Sequence, residues 1–371
     1  MVEAISTDNH TVTTRLTQLW DIEVPIIGAP MAGRSGGELA AAVSRAGGLG
    51  MFGVGSNATP EWIAENARIA REGIQRGQRK SGESVARKML GRGDSSGVTL
   101  GSGSQAGDLE LGNFGIGVMV WDLEDKPEVW QAVLDARPKV ISLGFGDAAN
   151  YVEQAHDLGI SVVAPVNDVS QVKQALAAEV DVICIQGTDA GGHTGRMGTM
   201  PLMQIILDYL MRAAPGVPAA VAGGIGAGRG VAAALAAGAD AAWIGTALLG
   251  SPEALGSEEL RSAAIQASGR ATILTDIYDR AEQVGWDSVK WPTRTVSNGF
   301  TDVYAELSER GDVTDQELIA ARGPGGEFES DLKLHAGEGI ELLVSEQPAE
   351  EVIRQMNEEA WILLNRTRQK V

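Results

Sequence analysis

Short apolar runs alternate along the chain with segments in which apolar residues recur at helical spacing. The first run covers residues 24–31. In the segment after it, apolar side chains fall at positions i, i+3, i+4 and i+7, namely Leu39, Ala42, Val43 and Ala46. A run of this length predicts a strand, and the spacing after it predicts an amphipathic helix. We count about eight such strand–helix units, the number that closes a (β/α)8 barrel.

The strand runs are apolar throughout rather than alternating, which suits a parallel sheet covered by helices on both faces. The predicted strands are 24–31, 49–54, 114–120, 140–143, 161–166, 181–185, 219–222 and 241–244. An open Rossmann-type sheet is the alternative, but it calls for one G-x-G-x-x-G after the first strand, whereas glycines here follow almost every strand. We therefore predict an α/β fold, a TIM barrel with a smaller helical and loop region over its C-terminal face.

Two polar segments fall outside the repeat. We interpret residues 75–112 as an insertion after the second helix and residues 251–324 as a smaller, substrate-covering region. Residues 1–250 then form the cofactor-binding barrel, and residues 325–371 return to it with a final helix over 349–367. The insertion carries a basic cluster, which consists of Arg76, Arg79, Lys80, Arg87, Lys88 and Arg92. This cluster is either a solvated surface or a clamp for an anionic partner.

The charge balance narrows the classes of partner. Thirty Lys and Arg stand against 49 Asp and Glu, a net charge of −19, which disfavours nucleic acid and anionic membrane surfaces. The single cysteine allows no internal disulfide, and no apolar run approaches the ~18–20 residues of a membrane span. The first residues lack the apolar core of a secretion signal. We expect a cytoplasmic enzyme acting on a small molecule, with its oligomeric state left open.

The loop after the sixth strand, residues 186–196, carries the strongest candidate for chemistry. Reactive groups of a parallel barrel lie in loops after the C-terminal ends of strands, and this loop holds His193 among several glycines. The glycines permit close approach of a ligand, and their N–H groups can donate to anionic oxygens. The alternative is a surface loop with an exposed histidine.

The other nucleophilic and metal-ligating side chains are weaker candidates. His10 falls in the N-terminal segment and His156 on a predicted helix, so both are interpreted as surface residues. His335 either lines the pocket or is structural. Cys184 falls inside an apolar strand, where a thiol is usually inert core packing rather than a nucleophile. With four scattered histidines and no H-E-x-x-H motif, we predict no metal site.

Glycine-rich segments end the seventh and eighth strands and have the pattern of a phosphate site. Residues 222–228 open a helix, and residues 243–246 end the next strand. Backbone donors and a helix N-terminus at this place form the anion site typical of the C-terminal face of such barrels. The alternative is that these glycines serve only close packing.

Five motifs taken together resemble the nitronate monooxygenases, formerly called 2-nitropropane dioxygenases. They are residues 25–33, 46–50, 186–195, 221–225 and 244–246. The resemblance covers roughly the first two thirds of the chain and returns at 291–300 and 335–339. Enoyl-acyl-carrier-protein reductases of the same barrel type share much of the pattern.

The resemblance implies a non-covalent FMN across the barrel mouth. Ala29, Pro30 and Met31 would lie along the isoalloxazine ring, and Gln186 would hydrogen-bond to it. The ribityl chain and phosphate would be held by Gly191, Gly224, Trp243, Ile244, Gly245 and Thr246. Many members carry Asn where this sequence has Gly117, so a backbone contact to the flavin is expected there. A single phosphate cradle without a dinucleotide fingerprint favours FMN over FAD.

The resemblance also implies the reaction, which is oxidation of alkyl nitronates by O₂ to a carbonyl compound and nitrite, without a nicotinamide. His193 matches the catalytic histidine of the family and could take a proton from the carbon beside the nitro group or hydrogen-bond the nitro oxygens. One alternative is an NAD(P)H-dependent FMN reductase of an enoyl thioester or quinone. Another is a non-catalytic flavin-binding barrel, against which the retained His193 argues.

Overall fold

The computed structural model describes residues 11–90, 110–267 and 271–368. Its strands are β1 (Ile26–Gly28), β2 (Met51–Gly53), β3 (Gly112–Met119), β4 (Pro138–Gly144), β5 (Ser161–Val166), β6 (Val182–Gln186), β7 (Gly192–His193), β8 (Ala219–Ala222), β9 (Ala241–Ile244), β10 (Thr272–Thr275) and β11 (Thr293–Val296). Its helices are α1 (Arg15–Trp20), α2 (Gly37–Arg45), α3 (Pro60–Leu90), α4 (Val120–Leu123), α5 (Pro127–Asp135), α6 (Ala149–His156), α7 (Val169–Ala177), α8 (Thr199–Ala213), α9 (Gly228–Ala236), α10 (Glu258–Gln266), α11 (Ile277–Ala281), α12 (Gly299–Arg310), α13 (Asp315–Arg322) and α14 (Ala349–Arg368).

Eight parallel strands close into a barrel. They are hydrogen-bonded in the order β1, β9, β8, β6, β5, β4, β3 and β2. The ends of this row meet where Gly28 N donates to Leu49 O at 2.9 Å and Leu49 N donates to Ile26 O at 3.1 Å. The predicted (β/α)8 barrel is therefore confirmed, and the open Rossmann-type sheet is excluded because it would leave two free edges.

Successive side chains of each strand enter two different cores. In β4, Val140 faces the barrel interior, whereas Ile141 packs against the surrounding helices. Both are fully buried, as expected for a sheet covered on both faces. Cys184 lies in the interior layer at 1% exposure, and burial raises the pKa of its thiol. Its interpretation as inert packing is confirmed.

Helix α1 closes the N-terminal end of the barrel. Leu16 and Trp20 are buried in the interior core, and the Trp20 indole donates to Ser161 Oγ at 3.0 Å at the start of β5. Near the C-terminus of the sequence, α14 packs against α9 and α2 through Ile353 and Met356. The predicted final helix is thus confirmed, and it covers the barrel next to β9 and β1.

Two predicted boundaries are wrong. The first strand ends at Gly28 rather than at residue 31, because Met31 O accepts from the amides of Arg34 and Ser35 in a tight turn at the barrel mouth. The second helix does not end near residue 75 but continues to Leu90 as α3. Arg76, Arg79, Lys80, Arg87 and Lys88 of the basic cluster lie on it, and Arg92 lies outside the described residues.

A second sheet lies over the barrel mouth, where the sequence predicts only helices and loops. Its antiparallel strands follow the order β10, β11 and β7. Strand β7 comes from the predicted active-site loop, and its register places His193 opposite Thr293. Helices α11, α12 and α13 form a small core beside this sheet. Within the described ranges, no helix is both long enough and apolar enough to cross a bilayer.

Candidate active site

A glycine cradle lies at the C-terminal end of β8. Gly223 and Gly224 have φ of +112° and +70°, values that side-chain-bearing residues adopt only with strain. A Cβ at Gly223 would also lie 2.4 Å from Thr199 Oγ1. Helix α9 begins just beyond, and its cap residue Ala227 supplies no side-chain hydrogen bond. Free amides at a helix N-terminus are suited to an anion.

Gly228, in the same motif, is a glycine for a different reason. A Cβ at Gly228 would lie 2.4 Å from Met356 O and 2.5 Å from Glu359 Cβ on α14. This position is therefore glycine because α14 packs closely against α9. The alternative that these glycines serve only close packing is therefore correct for Gly228. It does not explain Gly224, where a Cβ would lie 3.4 Å from Asp189 Cβ, which is ordinary contact.

The residues after β1 and β9 meet at the barrel mouth. Ala29 N donates to Ile244 O at 2.7 Å, and a Cβ at Gly245 would lie 3.3 Å from Ala29 Cβ and 3.2 Å from Met31 Sδ. The side chain of Trp243 points into the barrel interior, and that of Ile244 packs towards the helices. Ile244 can therefore reach a ligand at the mouth only through its backbone.

Gly117 allows Pro30 to pack against the barrel. A Cβ at Gly117 would lie 2.3 Å from Pro30 Cγ and 2.4 Å from Pro30 Cβ. Real Cβ atoms essentially never come so close to a neighbour. Glycine rather than the expected Asn is therefore required at residue 117, because the ring of Pro30, two residues after β1, occupies the space of a side chain. Any contact of Gly117 with a ligand is through its backbone.

The segment around residue 337 joins two of the predicted cofactor contacts. Thr246 Oγ1 accepts from Gly337 N at 2.9 Å. A Cβ at Gly191 would lie 2.5 Å from the carbonyl carbon of Ala336, so the glycine lets the two backbones touch. Asp189, two residues before Gly191, accepts from Thr199 N at 2.8 Å and so fixes the loop to the start of α8.

Gln186 is held by a hydrogen-bond network that sequence reasoning missed. Its Nε2 donates to His193 O at 3.2 Å, and its Oε1 accepts from Asn167 Nδ2 at 3.2 Å. Asn167 Oδ1 in turn accepts from the Trp291 indole at 3.1 Å. Asn167 directly follows β5, and a polar residue immediately after an apolar strand is the signal that could have identified it.

His193 is paired with a buried carboxylate. Its Nε2 lies 3.1 Å and 3.0 Å from the two oxygens of Asp279, which is 4% exposed. Thr293 Oγ1 donates to the same carboxylate at 3.4 Å. The imidazole stacks on Trp286 with ring centroids 3.5 Å apart and planes 11° apart. The alternative of an exposed loop histidine is therefore wrong, because this side chain is only 13% exposed.

Aromatic side chains surround the imidazole, and sequence reasoning missed their role. Phe145 directly follows β4 and has a φ of +61°, an uncommon and strained conformation for a bulky residue. Its ring lies edge-on to His193, with centroids 6.4 Å apart, and edge-on to Trp286 and Trp291 at 4.9 Å and 5.6 Å. Positive-φ residues of this size cluster at functional sites.

Of the remaining histidines, His335 joins the site. Its ring centroid lies 6.3 Å from that of His193, and its Nδ1 is buried without a hydrogen-bond partner. Burial, with smaller effects of Lys333 and His193, lowers the pKa of His335 to about 3, so the ring is neutral.

His156 lies on α6 at the surface as predicted, and His10 lies outside the described residues. Across the described ranges, no three His, Cys, Asp or Glu side chains form a group suited to a metal ion.

Solved structures with this fold cover nearly the whole chain. FabK from Thermotoga maritima superposes with a TM-score of 0.72 at 24% identity, over 97% of this chain and 100% of that one. Nitroalkane oxidase from Streptomyces ansochromogenes gives 0.68 at 22% identity, over 96% and 99%. At these identities the likeness concerns the fold.

Sequence comparison identifies the family. The family profile for nitronate monooxygenase matches residues 13–76 and 121–359. A nitronate monooxygenase of Paraburkholderia phytofirmans is 29% identical over 95% of this chain and 97% of its own. A nitronate monooxygenase of Metarhizium robertsii is 30% identical over 93% of each chain. The chain therefore belongs to the nitronate monooxygenase family of oxidoreductases.

Proposed function

We propose that this protein binds FMN across the barrel mouth and uses it to oxidise alkyl nitronates with O₂ to a carbonyl compound and nitrite. The observation that carries the proposal is the pairing of His193 with the buried Asp279 at the mouth of a barrel that also holds the glycine cradle. A base and its orienting group beside an anion site are the parts that such a reaction needs.

The residues at the mouth fit FMN. Gly223 and Gly224 hold the backbone in conformations that leave the N-terminus of α9 open to a phosphate. Thr199 Oγ1, next to Gly223, is buried and without a hydrogen-bond partner in the protein, so a polar ligand at this place would satisfy it. FMN, when bound, supplies the electron acceptor and the reactivity towards O₂.

Other side chains would line the flat part of the cofactor. Ala29, Pro30 and Met31 turn across the mouth between the ends of β1 and β3. The Gln186 amide, fixed by Asn167, can offer its remaining hydrogen to the flavin ring. These contacts, like those of Gly191, Gly245 and Thr246, are part of the proposal.

His193 handles the proton of the substrate. A neutral nitroalkane must lose a proton from the carbon beside the nitro group, and His193 takes it as general base. A nitronate arrives already deprotonated, and His193 in its protonated form then serves only to hydrogen-bond the nitro oxygens. The aromatic side chains of Phe145 and Trp286 limit the access of water to the imidazole.

Replacement of the histidine tests this function. His193→Asn should retain appreciable activity on a preformed nitronate and lose about 10²- to 10⁴-fold on the neutral nitroalkane, the usual contribution of general-base catalysis. The matched control is His156→Asn, which removes a histidine with the same Nε2 to carboxylate distance of 3.0 Å at the protein surface. Equal losses on both substrates would argue against the role of His193 as base.

The alternative reductase gives a different pattern. In that case reduction of the bound flavin by NAD(P)H should survive His193→Asn, while transfer to an enoyl thioester or quinone is impaired. A non-catalytic flavin barrel should show neither response. The close packing of His193 between Asp279 and Trp286 favours a catalytic site over that last alternative.

A further inference from the structure

The contact between His193 and Asp279 is built from three separate parts of the chain. His193 lies on β7, Asp279 on α11, and Thr293 on β11 directly opposite His193. Thr293 is fully buried and Asp279 nearly so, which keeps water away from the carboxylate. A buried carboxylate needs hydrogen-bond partners, and here Oδ1 contacts His193 while Oδ2 contacts both His193 and Thr293.

The carboxylate determines which imidazole nitrogen carries hydrogen. An ionised carboxylate only accepts hydrogen bonds, so the nitrogen that contacts both of its oxygens must be Nε2–H. In the neutral ring the lone pair is then on Nδ1. Within the described residues, Nδ1 of His193 makes no hydrogen bond, so this nitrogen is free to meet a substrate.

The aromatic neighbours hold the plane of the ring. Trp286 stacks on one face at 3.5 Å, and Phe145 lies edge-on. Rotation of the imidazole out of this plane would break the stacking and both contacts to Asp279. Among the described residues, the other imidazole near His193 is that of His335, which is neutral because burial lowers its pKa to about 3, and it offers no competing charge.

We propose that Asp279 is a positioning residue that fixes His193 as the Nε2–H tautomer and leaves Nδ1 to take the proton of the substrate. Nδ1 gains the proton from the carbon beside the nitro group, the C–H electron pair becomes part of the nitronate, and the positive charge on the imidazole is stabilised by Asp279. The catalytic consequence rests on the proposed function, whereas the tautomer does not.

The tautomer is measured directly by ¹⁵N NMR of the imidazole nitrogens in labelled protein at a pH where His193 is neutral, with His193→Asn identifying its signals. We expect a protonated Nε2 and an unprotonated Nδ1. In Asp279→Asn the introduced amide can donate to Nε2, which moves the hydrogen to Nδ1. Asp279→Glu keeps an acceptor and should keep the Nε2–H tautomer. A protonated Nδ1 in the unmodified protein would overturn the proposal without any variant.

Kinetics provide the second readout. Asp279→Asn should lower kcat/KM for a neutral nitroalkane by about 10²- to 10⁴-fold and leave the preformed nitronate within a few fold, with partial recovery in Asp279→Glu. Asp181→Asn is the matched control, because it alters the surface His156–Asp181 pair at the same 3.0 Å distance and should leave activity unchanged. Equal losses on both substrates would contradict the positioning role. If the unmodified protein oxidises no nitronate, the proposed function fails while the NMR result still decides the tautomer.

Discussion

Gly117→Ala should destabilise the protein, although most exposed or loosely packed glycines gain stability from alanine. The new Cβ would lie 2.3 Å and 2.4 Å from two carbons of Pro30, against about 3.4 Å for ordinary contact. The proline ring or strand β3 must therefore move by about 1 Å. Overpacking of this kind costs about 1–3 kcal/mol. The reduced entropy of the unfolded chain returns about 0.4–1 kcal/mol, which leaves a net loss of stability of about 1.3 kcal/mol at the midpoints of the two ranges.

Gly144→Ala is the matched control for this change. Gly144 is also a buried glycine near the C-terminal end of a barrel strand, paired with Met119 of the neighbouring strand. A Cβ there would meet Pro165 Cγ at 3.5 Å and Cδ at 3.8 Å, which is ordinary contact. Only the reduced entropy of the unfolded chain then matters, and the free energy of unfolding of this variant should rise by about 0.4–1 kcal/mol. The two glycines are thus expected to respond with opposite sign.

Urea unfolding of the flavin-free protein measures both free energies. Pro30→Gly removes the carbons that clash, so the double variant Gly117→Ala with Pro30→Gly should be more stable than the sum of the two single changes. The flavin affinity of Gly117→Ala should also fall, because Pro30 lies among the proposed cofactor contacts. If Gly117→Ala is as stable as the unmodified protein, the close packing of Pro30 on β3 is refuted.

Three further predictions concern the cofactor, the acid response and the basic cluster. Gly224→Asp places a carboxylate beside the proposed phosphate and should abolish FMN binding in equilibrium dialysis, whereas the uncharged Gly224→Asn, tolerated at positive φ, should bind measurably. Burial lowers the pKa of His335 from 6.5 to about 3, so on acidification the unfolded chain binds a proton at this residue before the folded protein does. The free energy of unfolding should therefore fall as the pH drops below about 6.5, by up to about 1.4 kcal/mol per pH unit. Urea unfolding of His335→Gln at several pH values should show a shallower fall. Neutralising the basic cluster should leave the kinetics unchanged on every active substrate if the cluster is only solvated, and a raised KM would indicate the clamp. The residues to change together are Arg76, Arg79, Lys80, Arg87, Lys88 and Arg92.

The barrel could be predicted because its strands are uniformly apolar and each is followed by a helical segment. Both features are local in the sequence, and so are the glycines that end β8 and β9. The extension of α3 to Leu90 could not be predicted in this way, because residues 75–84 are all polar or glycine and hydrophobic periodicity is the main signal for a helix.

The partners of His193 could not be predicted because they depend on pairing between distant segments. Asp279 lies 86 residues further along the chain and meets His193 only when β7, a strand of two residues, pairs with β11. Asn167 is different. It directly follows a predicted strand at the barrel mouth, so attention to polar residues at strand ends could have found it.

Anaerobic mixing of the flavin-loaded protein with a nitronate or with NADH or NADPH tests the central claim most directly. The account predicts that the protein purifies yellow with FMN, and that the visible flavin absorbance changes rapidly on mixing with a nitronate while NADH and NADPH have no effect. Admission of O₂ should then restore the spectrum and release nitrite. Rapid, stoichiometric bleaching by NADH or NADPH with no response to any nitronate would contradict the account and favour the reductase.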